Sequence, residues 1–310
     1  MAESMIFATV WWDGKLSPLE SATINVTQMG PASVSSVFEG IRAYRNPSTN
    51  ELAVFQLDAH LRRFLQSIRL VRLETEHSLD DLHNALVLLV RSNNPDRDVY
   101  IRPFAYAESR TFGSATSTLA HIIMHVTDWD SKLKTDTVSH STVSSWTRLT
   151  DNQMAPRVKA SANYLNSRYA SEEAKRNGYD HAILLTPQGK VAEGPGMCLM
   201  LVQDGKIITP SVTSGILESV TRATIIQLAK EQLKVPVIER EVDRTELYTA
   251  DEAFFCGTGI EVVPIVSIDR LPIGTGNPGE LTRRMMNCYH DVVRGVMNEY
   301  AEWRTVVSRQ

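Results

Sequence analysis

Cysteine is scarce: the 310-residue chain has three, Cys198, Cys256 and Cys288, far apart and odd in number. With no CxxC pair and no His-Cys cluster, neither a disulfide-stapled scaffold nor a zinc site is expected. Long apolar runs are missing too. No stretch reaches the roughly 18 apolar residues of a membrane span. The start, Met1 to Trp12, carries Glu3 and no basic flank, so it does not read as a secretory signal. Positive charge is not in excess either. Lys and Arg number 32 against 36 Asp and Glu, a formal net charge of −4, which offers nucleic acid or an anionic membrane no global attraction. Basic and aromatic residues are not interleaved as base stacking requires. Asn25-Val26-Thr27 fits a glycosylation sequon, but without a secretory signal it reads as chance. A reducing cytoplasm is the expected setting.

What is present has the balance of an ordinary globular protein, 43% hydrophobic and 22% charged. The length exceeds most single cores and predicts two domains. Residues 5–12 have strand character, and Asp13-Gly14 after them is a hairpin signal. Asp58 stands as an N-cap before a helix from Ala59 to Leu70, with Leu61, Phe64, Leu65 and Ile68 at helical spacing. Leu79 to Val90 repeats that pattern, and residues 99–107 and 119–126 return to strand. The polar stretch 129–142 lacks periodicity and is taken as a linker between a smaller α/β domain (1–128) and a larger one (143–310). Beyond it the pattern predicts strands near 143–147, 182–185, 198–202, 206–209, 236–240 and 252–256. Helices are expected near 166–176, 219–232 and from Glu280 on. Strands and helices mix without regular βαβ alternation, which points to α+β.

Four segments could carry chemistry. Lys159 is followed by Ala160-Ser161-Ala162-Asn163-Tyr164, small residues that leave room beside the backbone for a bulky group. A lysine that attacks an aldehyde must be neutral and partly desolvated, although most lysines are merely solvated surface charges. Glu193, between two expected strands and before Gly194-Pro195-Gly196, could hold a protonated pyridine nitrogen, or be a plain turn acid. Gly215 to Arg222 leads into a helix whose first amides suit an anion, and Gly257-Thr258-Gly259 offers further amides. Gly274-Thr275-Gly276-Asn277-Pro278-Gly279 matches G-x-G-x-x-G literally, but Pro278 removes an amide and no buried strand abuts it, so it is read as a loop.

Taken in order, these segments resemble the fold-type IV pyridoxal-phosphate enzymes, and among them the branched-chain amino-acid aminotransferases. The matching stretches are Val37-Phe38-Glu39-Gly40-Ile41-Arg42, Tyr100-Ile101-Arg102-Pro103, Lys159 to Tyr164 and Ala192-Glu193-Gly194. Gly215-Ile216-Leu217 with Val220-Thr221-Arg222, and Ala250-Asp251-Glu252 running into Gly257 to Glu261, complete the set. The resemblance covers about residues 5–295 and implies the two-domain α+β fold of the D-amino-acid and branched-chain aminotransferases. It implies pyridoxal 5′-phosphate as cofactor and transfer of an amino group from a branched-chain or related apolar L-amino acid to 2-oxoglutarate.

It also implies roles. Lys159 forms the Schiff base and carries the 1,3-proton transfer. Tyr164 bonds the ring's phenolic oxygen and Glu193 the ring nitrogen. Arg63, Leu217, Val220, Thr221 and Thr258 bind the cofactor, Arg63 and the helix-start amides at its phosphate. Phe38, Gly40, Arg42, Tyr100, Arg102, Gly259 and the Ser33 position line the substrate side, with Arg102 taking a distal carboxylate. No metal is implied, and the expected assembly is a homodimer. Two departures stand out: Ser33 replaces a usual aromatic, and Met197-Cys198-Leu199-Met200 replaces Glu-Asn-Leu-Phe. Both are expected at or near the substrate pocket, where apolar fit discriminates by only about 1–3 kcal/mol per methylene. D-amino acids, (R)-amines, another specialised donor or an aminodeoxychorismate-type lyase reaction therefore stay open as alternatives, with a non-catalytic protein on the same fold behind them.

Overall fold

The computed structural model describes residues 5–107 and 119–307. The chain forms two compact units. The first comprises Met1–Ser131, Val158–Ala162 and Val292–Gln310, and the second Lys132–Arg157 and Asn163–Asp291. This differs from a single break at 129–142 followed by one continuous domain, because two later segments are claimed by the first unit through backbone pairing. Phe38 N–H donates to Lys159 O at 3.0 Å and Ser161 N–H to Ser36 O at 2.9 Å. Arg304–Val307 pairs antiparallel with the strand Leu52–Phe55.

In the first unit the elements are β1 (Thr9–Trp12), β2 (Lys15–Pro18), α1 (Val26–Val34), β3 (Val37–Phe38), β4 (Ile41–Arg45), β5 (Leu52–Phe55), α2 (Leu57–Leu70), α3 (Leu79–Asn93), β6 (Val99–Tyr106) and β7 (His121–Asp128). The sheet runs Arg304–Val307, β5, β4, β6, β7, β1, β2, with β3 paired to β6. Asp13 (φ 42°) and Gly14 (φ 95°) turn the β1–β2 hairpin in the left-handed region, as their sequence demands. The first strand is shorter than residues 5–12, since Ile6 makes only an isolated bridge to Thr127. Leu61, Phe64 and Ile68 of α2 and Leu82, Leu86, Leu89 and Val90 of α3 are buried at helical spacing.

Asp58 is not the cap of α2. The helix starts at Leu57 behind Gln56, which is left-handed (φ 54°), and the Asp58 carboxylate instead accepts from His83 Nδ1 at 2.7 Å. At the start of α3, Ser78 and Asp81 form a reciprocal capping box. Asn25 of the apparent sequon is engaged locally, its side chain accepting from the Thr27 amide and hydroxyl where α1 begins.

The second unit contains β8 (Ser139–Thr147), α4 (Tyr164–Arg176), β9 (His181–Leu185), β10 (Cys198–Gln203), β11 (Lys206–Thr209), α5 (Val220–Glu231), β12 (Val237–Glu239), α6 (Glu246–Thr249), β13 (Glu252–Gly257), β14 (Glu261–Ile268), β15 (Leu271–Pro272) and α7 (Glu280–Val293). Strand β8 begins inside the stretch read as linker. Its sheet runs β12-β11-β10-β13-β14-β8-β9, with β15 on β14. The pairs β11–β12, β14–β8 and β8–β9 are parallel and the others antiparallel, so the sheet is mixed, consistent with α+β. Ile183, Leu199, Leu201, Phe255, Val263 and Ile265 form its core with Val242 and Leu247. Residues 274–279 form a loop between β15 and α7. Among the described residues no helix is long and apolar enough to cross a membrane.

Candidate active site

Lys159 lies on the short segment that β3 captures. Val37 and Ala160 bridge antiparallel, Ser36 Oγ donates to Ser161 Oγ at 2.8 Å, and Lys159 N–H donates to Ser67 Oγ at 3.3 Å. Backbone bonds therefore fix the main chain from which this half-buried lysine projects. Its Nζ lies 4.9 Å from the centroid of the Phe38 ring, and the Arg102 guanidinium lies 4.8 Å from the same centroid. Lys159, Phe38 and Arg102, distant in sequence, are thus brought together, with Arg102 exposed on β6.

Beside Phe38 is a charge network that the sequence reading missed. Glu39 is fully buried. Its carboxylate accepts from Arg63 Nε at 2.7 Å and Arg63 Nη2 at 2.9 Å, and it meets His60 Nδ1 at 2.9 Å. Burial by itself would raise the Glu39 carboxyl, but the Arg63 charge and the bonds from His60 and Arg63 outweigh it and hold the group far below the usual carboxylate range. Burial lowers His60, so at neutral pH this imidazole is uncharged and its Nδ1–H donates to Glu39. Arg63 is held as a fork on Glu39 rather than left to swing on a flexible stem.

The remaining first-unit residues divide. Tyr100 packs over Gly40 so closely that a Cβ there would lie 1.7 Å from the Tyr100 hydroxyl, which accounts for the glycine. Arg42 is 1% exposed, donates from Nη2 to Trp129 O at 3.0 Å and lies over the Tyr44 ring, so it is a buried part of the unit. Ser33 is exposed on the last turn of α1. His125, also missed, stands opposite Arg102 in the β6–β7 register, and burial followed by the Arg102 charge pushes it down to about 4.

In the second unit, Glu193 is 3% exposed. Its Oε1 lies 2.7 Å from Arg148 Nη2, and its Oε2 accepts from Leu217 N–H at 3.2 Å. Arg148 had no place in the sequence reading. Tyr164 opens α4 beside Gly196, where a Cβ would sit 3.6 Å from the tyrosine ring. Ser219 caps α5 by accepting from Arg222 N–H. This helix start carries Val220 and Thr221, and Thr221 Oγ1 lies 3.2 Å from Thr258 Oγ1, next to Gly259. Arg222 of the same motif is structural: it donates to Pro210 O at 2.9 Å and pairs with Glu239 at 2.8 Å. Met197–Met200 departs from expectation, since Cys198, Leu199 and Met200 are at most 2% exposed in β10 and Met197 packs on the unit's core. These side chains fill the interior of the unit.

Residues 36–268 match the family model described as amino-transferase class IV. A probable branched-chain-amino-acid aminotransferase of Aquifex aeolicus is 38% identical over 98% of this chain and 97% of its own. The structure of a branched-chain amino acid aminotransferase from Thermobaculum terrenum, in its PLP form, superposes with a TM-score of 0.95 at 46% identity, covering 98% of this chain and 99% of that one. A branched-chain amino acid aminotransferase from T.th., complexed with N-(5′-phosphopyridoxyl)-L-glutamate, gives a TM-score of 0.90 at 35% identity, covering 97% and 99%.

Proposed function

Because the chain belongs to the class IV amino-transferases and is a pyridoxal-phosphate aminotransferase, we propose that it moves an amino group from a branched-chain or related apolar L-amino acid to 2-oxoglutarate. The observation that carries this reading is the Lys159 amine beside the Phe38 ring and the exposed Arg102, on a segment whose backbone is paired to β3. The donor set fits the cofactor. A lysine amine suits its aldehyde, a buried carboxylate held by a cation suits its ring nitrogen, and the hydroxyl pair of Thr221 and Thr258 at a helix start suits its phosphate. The substrate class is supported by the names of the relatives, and the glutamate side by the phosphopyridoxyl-glutamate complex of the T.th. enzyme.

When bound, pyridoxal phosphate supplies a carbonyl for the amino group and an electron-accepting ring. Lys159 would hold the cofactor through its Nζ and, once released, would take the proton from substrate Cα as the neutral amine and give it back as the ammonium. Tyr164 donates to the phenolic oxygen. Glu193 pairs with the ring nitrogen and keeps it protonated. In the first unit Arg63 would bind the phosphate, and in the second the amides of Leu217, Val220 and Thr221 and the Thr258 hydroxyl would do so. Arg102 receives the distal carboxylate of glutamate or 2-oxoglutarate, while Phe38, Gly40 and Tyr100 shape the apolar side and Gly259 offers its amide to the α-carboxylate. The same reading makes the enzyme a cytoplasmic homodimer, and sedimentation of the purified protein checks its oligomeric state.

A donor panel against 2-oxoglutarate tests the substrate assignment. L-Leu, L-Ile and L-Val are expected to turn over far faster than D-Ala or (R)-1-phenylethylamine, and the reverse order refutes it. Lys159→Ala is expected to abolish multiple turnover; sustained turnover by that variant would refute the mechanism.

A further inference from the structure

Glu193, Arg148, Gly215 and Leu217 close a ring of contacts. The Arg148 Nη2–Glu193 Oε1 distance is 2.7 Å, Arg148 Nε donates to Gly215 O at 3.1 Å, and Leu217 N–H returns to Glu193 Oε2 at 3.2 Å. Arg148 is itself anchored, because its backbone N–H donates to Leu185 O at 2.8 Å and its side chain is 7% exposed. A guanidinium so held cannot follow the carboxylate if it moves; the carboxylate must come to it.

We propose that Arg148 is a positioning residue for aminotransfer: it keeps Glu193 ionised and aimed, so that the proton shared with the cofactor's ring nitrogen resides on that nitrogen. This rests on the reading of Glu193 as the ring-nitrogen partner. A carboxylate as buried as Glu193 favours its neutral form unless an opposite charge stands beside it. If Glu193 takes up the proton, the ring nitrogen loses it, and with it the electron demand that acidifies substrate Cα. Arg148 biases that choice without touching the cofactor. The Leu217 amide adds direction, since an N–H can only be satisfied by the lone pair aimed at it. The Gly215–Leu217 segment thus links the orientation of the acid to the chain leading into α5.

The test uses the enzyme loaded with pyridoxal phosphate labelled with ¹⁵N in the ring. The ring-nitrogen chemical shift reports protonation directly, and steady-state kinetics with L-Leu and 2-oxoglutarate accompany it. Wild type and Arg148→Lys, which keep a cation, are expected to give the protonated signal. Arg148→Met is expected to move the signal toward the unprotonated value and to lower kcat by roughly 10- to 100-fold, the range seen when a partner that orients a site ligand is lost, with KM little changed. Should Arg148→Met not fold, Arg148→Gln removes the charge while keeping a hydrogen-bond donor, and the same shift is expected. An unmoved nitrogen signal in the folded neutral variant overturns the proposal. Glu193→Gln separates the two readings: if it too leaves the signal unmoved, the assignment of Glu193 fails, whereas if it moves the signal and Arg148→Met does not, only the role of Arg148 fails.

Discussion

The Glu39–His60–Arg63 network makes stability depend on pH in a way that one substitution isolates. Glu39 has its carboxyl depressed, so its contribution is present above the ordinary carboxylate range and is lost only in strong acid as pH falls through the folded value. Between pH 5 and 8 it is constant. His60 behaves differently. Burial lowers it from 6.5, so the folded imidazole stays neutral where the unfolded one takes a proton. The unfolded state then binds more protons below about pH 6.5, and stability falls as the solution is acidified.

The unfolded imidazole binds at most one proton more than the folded one, so about 1.4 kcal/mol per pH unit is the ceiling on the acid slope that His60 adds below pH 6.5. The groups acting on it are Glu39, which raises it, and Arg63 and Lys159, which lower it. His125 and His181 are lowered as well and add to the raw acid slope, so the decisive quantity is a difference. Urea midpoints of wild type and His60→Gln are measured from pH 5 to 8. The gap between them is expected to narrow, or reverse, toward pH 5, because only the wild type carries the His60 penalty. Parallel curves would refute the argument. Glu39→Ala at pH 7 gives the size of the network: removing one partner of a buried pair costs about 3–5 kcal/mol.

Substitutions at three further places test local claims. Gly40→Ala places a Cβ 1.7 Å from the Tyr100 hydroxyl, and such overpacking is expected to cost about 1–3 kcal/mol; in a Tyr100→Ala background the urea midpoint should no longer register it. Glu261 closes the β13–β14 turn opposite Gly257 with φ 61°, and its carboxylate accepts from Lys132 N–H at 2.6 Å. Both Glu261→Gly and Glu261→Ala lose that bond, but glycine escapes the left-handed strain, so Glu261→Gly should be the more stable by about 1 kcal/mol; equal midpoints contradict the strain. Ser78→Ala removes one half of the capping box of α3 and is expected to cost about 1 kcal/mol, with Asp81→Ala adding less than its separate cost because the two act as one unit.

How much of this was legible depended on how far each signal reaches along the chain. Hairpin signals are local, so Asp13-Gly14 and Asp204-Gly205 turn where their residues say, all four at positive φ. Helical periodicity placed α2 and α3 on the same grounds. Elements whose own residues argue against them were hidden: Gly30-Pro31 stands inside α1, and Pro264 interrupts β14, where it faces Phe254 in the sheet interior. Tertiary pairing overrode both preferences. The site divides in the same way. Lys159, Tyr164 and Glu193 could be named as candidates only through the family resemblance of the motifs that hold them. The buried ion pairs of the two units could not be read, because Glu39 finds His60 and Arg63 21 and 24 positions away, and Glu193 finds Arg148 45 positions away. An isolated Arg148 in sequence is indistinguishable from a solvated surface arginine. What separates it is its burial and its contact with an acid, and both exist only once β8, β9 and the Gly215–Leu217 segment have folded together. The candidate residues could be named through the family resemblance of their motifs, while the ion pairs around them are written in long-range packing.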